Sequence, residues 1–219
     1  NFTGNLPVVG YSGTEIIVAS GSGKFIPPEK AKGLTPVYPG GTDNTGLGIS
    51  VEKDGNIITL SCLLPFARQA DFSLKVPDNL SLVISSGCER SNSIVVKDMK
   101  SEIEVRNCHG IQLENVSGPL LLSSISGSID VKFGTIAVNK PFSINSISGE
   151  IDITLPVDTP VNLDLSTISG SFYSDFDLSS KDKDMKRYGG SNLSYELNGG
   201  GVKFSIATIS GNIYLRKGN

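Results

Sequence analysis

The sequence predicts an all-β protein: a β-solenoid or β-helix-like stack of repeats preceded by a hairpin-rich N-terminal part. Three observations lead there. The composition holds 30 Ser, 25 Gly and 21 Ile against 6 Ala in 219 residues, which favours strands and tight bends over helices. An Ile-Ser-Gly core recurs with its glycines at Gly127, Gly149, Gly170 and Gly211, separated by 22, 21 and 41 residues. A repeat of about 21 residues holding two short strands is one rung of a solenoid. Around each glycine the apolar residues alternate with period two, the mark of a strand with one buried face.

Taken from the start, residues 8–18 read as strand, turn, strand. Residues 20–48 carry Pro27, Pro28, Pro36 and Pro39 among many glycines and read as a long loop. Residues 49–60 carry the Asp54-Gly55 signal of a hairpin. Residues 72–84 alternate on either side of a Pro77-Asp78-Asn79 turn. From Ile94, steps of eight or nine residues begin at Ile94, Ile103, Ile111 and Leu120, so that each full rung is made of two half-steps. Cys108 and Val116 stand where later repeats carry Ile. No segment has a helical period.

Within the repeats, Leu120 and Leu122, Phe142 and Ile144, Leu163 and Leu165, and Phe204 and Ile206 fall on one face. Ser124, Ser146, Thr167 and Thr208 come next, then Ile125, Ile147, Ile168 and Ile209, where the apolar phase slips by one residue. The pattern resumes at Ile129, Ile151, Phe172 and Ile213. A phase slip followed by Gly is what a bulged corner between two strands requires, and it predicts a ladder with Ile inside and Ser outside. Ile147 is then a core residue and Glu150 an outward one. The polar stretch 179–200 takes the place of a missing rung, and the repeat at Gly211 closes the solenoid. The whole is a single all-β domain over 1–219, with the hairpin-rich part at 1–90 and the repeats at 91–219.

Composition also excludes function classes. Lys and Arg number 19 against 22 Asp and Glu, a net charge of −3, without the clustered basic groups that nucleic acid demands. No run approaches the roughly 18 apolar residues of a membrane-spanning helix, and mean hydropathy is near zero. No charged-then-apolar leader begins at Asn1, so a secretion signal is expected to be absent from this chain or already removed. Cys62, Cys88 and Cys108 are an odd set without metal-ligand spacing and read as three free thiols. No cofactor or metal is expected.

Asp130 and Asp152 occupy one column on consecutive rungs. Stacked carboxylates can hold Ca²⁺ or serve as the paired acids of a polysaccharide-cleaving enzyme, but Lys132 lies close by and a solvated outer face is the simpler reading. The column continues as Tyr173 and Tyr214, outward aromatics able to stack on sugar rings. His109 is the only histidine and reads as an exposed structural residue. Gly21-Ser22-Gly23-Lys24 lacks the spacing and the following Ser or Thr of a phosphate loop. The Asn-x-Ser/Thr triplets at Asn1, Asn79, Asn115 and Asn192 are expected by chance in so Ser-rich a chain.

The repeats Ser124-Ile125-Ser126-Gly127, Ser146-Ile147-Ser148-Gly149, Thr167-Ile168-Ser169-Gly170 and Thr208-Ile209-Ser210-Gly211 resemble the bacterial putative-adhesin domain family. So do the segment 72–82, the Ser174-Asp175-Phe176 step followed by Gly199-Gly200-Gly201-Val202, and the opening Val9-Gly10-Tyr11-Ser12-Gly13 hairpin. The family often carries Asp directly after the repeat glycine, where this chain has Ser128, Glu150, Ser171 and Asn212. The resemblance implies a β-solenoid-like fold and a cell-envelope or extracellular location. The function expected is a non-enzymatic adhesin or scaffold whose repetitive polar face meets a glycan, an envelope polymer or a surface protein. The alternatives are a β-helix enzyme acting on polysaccharide through Asp130 and Asp152, and an envelope-stress sensory module.

Overall fold

Period-two segments become strands because one side can be buried while the other meets water. A computed structural model describes residues 6–21, 29–34, 36–64, 71–88, 93–137, 140–178 and 191–218. Part of the proline-rich loop, the Ser22-Gly23-Lys24 run, the Asn1 triplet and residues 179–190 of the polar stretch lie outside them. The strands are β1 (Leu6–Tyr11), β2 (Ile17–Ser20), β3 (Val37–Tyr38), β4 (Gly41–Thr42), β5 (Ile49–Asp54), β6 (Ile57–Cys62), β7 (Phe72–Pro77), β8 (Leu82–Ser85), β9 (Ile94–Lys97) and β10 (Ile103–Asn107). They continue as β11 (Ile111–Val116), β12 (Leu120–Ser124), β13 (Ile129–Phe133), β14 (Phe142–Ser148), β15 (Ile151–Pro156), β16 (Val161–Ser169), β17 (Phe172–Ser174), β18 (Ser191–Leu197), β19 (Val202–Ser210) and β20 (Ile213–Gly218). Among the described residues the only helical piece is a 3₁₀ turn, Glu29–Ala31.

Two large sheets face each other. One has nine strands in the order β17-β20-β15-β13-β11-β9-β1-β7-β2, the other seven in the order β18-β16-β19-β14-β12-β10-β8. From β7 to β17 the chain switches sheet with every strand, so each half-step is one strand and a pair of them is one rung of a flattened solenoid. Pairing between the stacked rungs is parallel, with Ile129 beside Ile151 and Ile151 beside Ile213, and in these two sheets only the end strands β2 and β18 run antiparallel. The core lies between the sheets. Phe142 and Phe204 stack with centroids 4.2 Å apart, and Phe133 meets both edge-on at 5.5 and 5.7 Å. At the N-terminal end, β5 and β6 form the hairpin expected at Asp54-Gly55. β1 and β2 do not pair with each other; both flank β7, β1 parallel and β2 antiparallel.

The corner of the repeat departs from expectation. The apolar phase does not slip onto the isoleucine. Alternation runs on as far as Ser146 in β14 and Thr167 in β16, so Ser124, Ser146, Thr167 and Thr208 point inward and are at most 5% exposed, while Ile125, Ile147, Ile168 and Ile209 point outward. The hydroxyls are what make inward placement tolerable, because a buried polar group needs a partner. Ser124 Oγ lies 2.9 Å from the His109 carbonyl, Thr208 Oγ1 donates to Gly149 O at 3.1 Å, and Thr167 Oγ1 to Gly211 O at 3.2 Å. Each thus reaches the corner of the neighbouring rung. Ile147 is therefore a surface residue, not a core one. The repeat glycine is needed for close approach rather than for a bulge: a Cβ on Gly149 would run into the Gly127 carbonyl. A bulge does occur, but at Asn115, with φ 53°, where the β11–β13 register shifts.

Chain order and spatial order also part company. The rung β19–β20 does not close the solenoid; it inserts between β14–β15 and β16–β17. β18 runs antiparallel along the free side of β16, and β19 lies parallel along its other side. The linking turn, Asn198-Gly199-Gly200, has three consecutive positive φ angles of 51°, 85° and 76°. It is stitched to the start of β16: Asn198 Nδ2 donates to Val157 O and Thr159 O at 2.8 and 2.9 Å, and Asn162 Nδ2 to Gly201 O at 3.0 Å.

The expectation of three free thiols is overturned as well. Cys88 and Cys108 form a disulfide across 20 residues, with their Cα atoms 5.0 Å apart, and Cys62 is free. Sequence spacing could not pair them; the solenoid does, by stacking Cys108 of one rung against the end of β8 in the rung below.

Candidate functional site

The outer face of the nine-stranded sheet places the expected residues in one row. Parallel register sets Gln112 beside Asp130, Asp130 beside Asp152, Asp152 beside Tyr214 and Tyr214 beside Tyr173. Tyr173 and Tyr214 are far apart in sequence, and the insertion of β20 next to β17 is what joins them. Their rings stack with centroids 5.2 Å apart and planes tilted by 14°. Tyr173, at the edge of the row among the described residues, is 53% exposed.

The residue after each repeat glycine feeds the same row from one side. Tyr214 Oη donates to Glu150 Oε1 at 3.1 Å, and Asn212 Nδ2 reaches both Tyr214 Oη at 3.0 Å and Glu150 Oε1 at 3.2 Å. Asn212 Oδ1 accepts from the Ser171 backbone at 3.0 Å. From the other side comes Arg216. Its Nε lies 2.8 and 2.9 Å from the two oxygens of Asp152, and its Nη2 is 2.8 Å from Oδ2. The guanidinium carbon also stands 5.7 Å from the Tyr214 ring centroid. The guanidinium thus grips the Asp152 carboxylate, and that hydrogen bond, followed by the carboxylate's charge, raises the pKa of Arg216.

Asp130 has a different environment. Its pKa is raised, chiefly by desolvation against the sheet, with the Asp152 and Glu150 carboxylates adding to the rise. The Ser128 hydroxyl, 3.2 Å from Oδ2, and the Lys132 charge oppose it in part. The row thus offers an aromatic platform, a neutralised ion pair, a carboxyl whose pKa is raised, and amide and hydroxyl groups between them. Arg216 escaped the sequence reading, although its position two residues after Tyr214 puts it on the same face. Among the described residues no three His, Cys, Asp or Glu side chains gather as a metal-ligand set. His109 is half-buried rather than exposed, and its Nε2 has no partner.

A second feature lies at the opposite corner of the rungs, a shallow recess of about 400 Å³ walled in part by Tyr11, Asp78, Asp98, Lys100 and Asn115. Its charged groups are satisfied locally, Asp78 by Lys100 and Asp98 by Asn115 Nδ2 at 2.6 Å.

No curated protein matches the chain. Among solved structures it is similar to a putative cell adhesion protein from Clostridium sporogenes ATCC 15579, at 10% identity over 99% of this chain and 89% of that one, with a TM-score of 0.45. No helix among the described residues is long and apolar enough to cross a membrane. Residues 78–216, the larger part of the chain and nearly all of the solenoid, match a single family, and the protein belongs to it: the Toastrack DUF4097 family.

Proposed function

We propose that this protein is a non-enzymatic adhesion or scaffold module of the cell envelope or extracellular surface, and that it holds a glycan or similar extended polymer along the outer face of its nine-stranded sheet. The observation that carries this is the Tyr173–Tyr214 stack, about half exposed at Tyr173 and continuous with a row of hydrogen-bonding groups. Aromatic rings on a flat polar face suit sugar rings, and repeated weak contacts along a polymer supply affinity without a deep pocket. The Cys88–Cys108 bond supports the location, since disulfides persist in oxidising compartments.

A second reading, an enzyme acting on polysaccharide, has one observation in its favour. Asp130 has a raised pKa and stands beside the Asp152 carboxylate, and two carboxyls in unequal surroundings are what acid–base pairs use. Against it, Arg216 grips both oxygens of Asp152, the group that would act as base or nucleophile.

Affinity electrophoresis against a panel of neutral and acidic polysaccharides separates these readings. Retention is expected on at least one polymer, weakened about tenfold by the double change Tyr173→Ser and Tyr214→Ser, equivalent to about 1.4 kcal/mol. No retention across the panel defeats the binding proposal. Polymer cleavage abolished by Asp130→Asn would install the enzyme in its place.

A further inference from the structure

Four outward isoleucines form an unbroken column on the seven-stranded sheet, on the far side of the core from the tyrosine row. Ser146 pairs with Thr208 and Ser148 with Ser210, which sets Ile147 beside Ile209. Thr167 and Ser169 pair with the same two residues and set Ile168 on the other side of Ile209. Ile125 completes the column, its carbonyl accepting from Ser148 N at 2.9 Å. The four are 46%, 49%, 48% and 61% exposed. In the preceding rung the place belongs to Cys108, buried in its disulfide. The column alongside holds Ser123, Asn145, Ala207 and Ser166, paired in that order and followed by Asn192. Two adjacent columns across four rungs therefore contain no charge. Among the described residues the nearest charges on this face are already paired, Arg106 with Glu104 and Lys203 with Asp164.

A continuous stripe of four exposed isoleucines on a flat sheet face is a candidate contact surface. We infer that this face is a self-association surface, and that its occupant is the same face of a second copy packed about a two-fold axis. Charge decides between occupants. A two-fold contact sets the residues near its axis against their own copies, which a charged surface forbids and this uncharged one allows. A basic or acidic partner would find nothing here to pair with. The shape agrees: a flat sheet face with one ridge of Ile beside a furrow of Ser, Asn and Ala is complementary to itself, and sheets pack face to face about 10 Å apart. With strands about 4.8 Å apart and outward residues about 7 Å apart, the uncharged patch covers roughly 300 Å². A standard stable interface uses about 800 Å² per partner, so the contact is a weak, reversible dimer. If the tyrosine rows bind polymer as proposed above, such a dimer points one row each way and bridges two strands. The dimer itself does not rest on that reading.

Sedimentation velocity of the reduced-thiol-blocked, disulfide-intact chain from about 1 μM to about 1 mM is the test, the range in which so small an interface should dissociate. Wild type is expected to shift from monomer to dimer across that range. Ile147→Asp and Ile209→Asp, each at a surface position, are expected to weaken association at least tenfold with the thermal midpoint unchanged, while Tyr173→Ser leaves it as in wild type. A wild type that stays monomeric throughout overturns the proposal and leaves the face to a different partner. Association unaltered by both Asp variants overturns it equally, because the dimer would then use another surface. Polymer retention by a protein that never dimerises would separate this failure from that of the binding proposal.

Discussion

At the scale of single residues, the corner of each rung depends on a hydroxyl placed where an aliphatic side chain would be expected. Ser124 is 1% exposed, and its Oγ accepts from Gly127 N at 3.1 Å while lying within hydrogen-bond distance of the His109 and Gly127 carbonyls. Ser146 holds the same position one rung on, yet its Oγ has no partner. The two serines should therefore respond differently to the same change. Ser124→Ala strands the part-buried Gly127 amide and is expected to cost about 1–3 kcal/mol. Ser146→Ala removes only an unpaired hydroxyl and should stay within about 0.5 kcal/mol of wild type. Urea midpoints of both variants decide the matter, and equal losses would show that the hydroxyls serve volume rather than hydrogen bonding. Neighbouring side chains explain why Ile147 misleads. An Ile in a strand ordinarily marks the buried face, and here the small Ser146, in the column where Ser124, Thr167 and Thr208 bond neighbouring carbonyls, takes that face instead.

At the scale of elements, the crossing from β18 to β19 determines the topology. The chain must pass from one side of β16 to the other within a short turn, which demands left-handed backbone and an anchor. Asn198 supplies both, with φ 51° and two hydrogen bonds to the β15–β16 connection. Asn198→Gly keeps the backbone and loses the anchor, at an expected cost of about 0.5–1.5 kcal/mol for partly solvated bonds. Asn198→Ala loses both and should cost about 1 kcal/mol more, because the left-handed region penalises a Cβ. Hydrogen exchange of the β18 and β19 amides, measured beside urea midpoints, should show the added loss in those two strands first. An alanine variant no worse than the glycine one would mean that the turn conformation is not what holds β19 in place.

For the whole molecule, the stacked sheets bury their inner columns almost completely and the ends carry the special devices. The nine-stranded sheet is capped at its N-terminal end by antiparallel β2, and the seven-stranded sheet at the other end by antiparallel β18. Antiparallel strands at the ends limit the open parallel edges onto which another chain could add. The disulfide secures the N-terminal rungs. Thiol titration of the unfolded, unreduced protein is expected to find one free group, Cys62, and three after reduction. Reduction should lower stability by about 2–4 kcal/mol, as closing a loop of this size does. Three thiols without reductant would remove the bond and, with it, the support for an oxidising compartment.

Much of this was legible in the sequence. Composition, the spacing of Gly127, Gly149, Gly170 and Gly211, and the alternation of Leu120, Leu122, Phe142 and Ile144 determined a parallel β-solenoid with that inner face, because burial follows period-two patterning whatever the neighbours are. The columns Asp130–Asp152 and Tyr173–Tyr214 follow from the same register. Tertiary structure alone decided which rung lies against which. The repeats are so alike that any two could pair equally well, so only the β18–β19 crossing reveals that β20 stands between β15 and β17 and brings Tyr214 to Tyr173. It also decided the corner, where a hydrogen bond to a neighbouring rung's carbonyl, invisible along the chain, outweighed the hydrophobicity of isoleucine. The pairing of Cys88 with Cys108 has the same origin, since the distance between two side chains on stacked rungs is a property of the stack and not of their spacing in sequence.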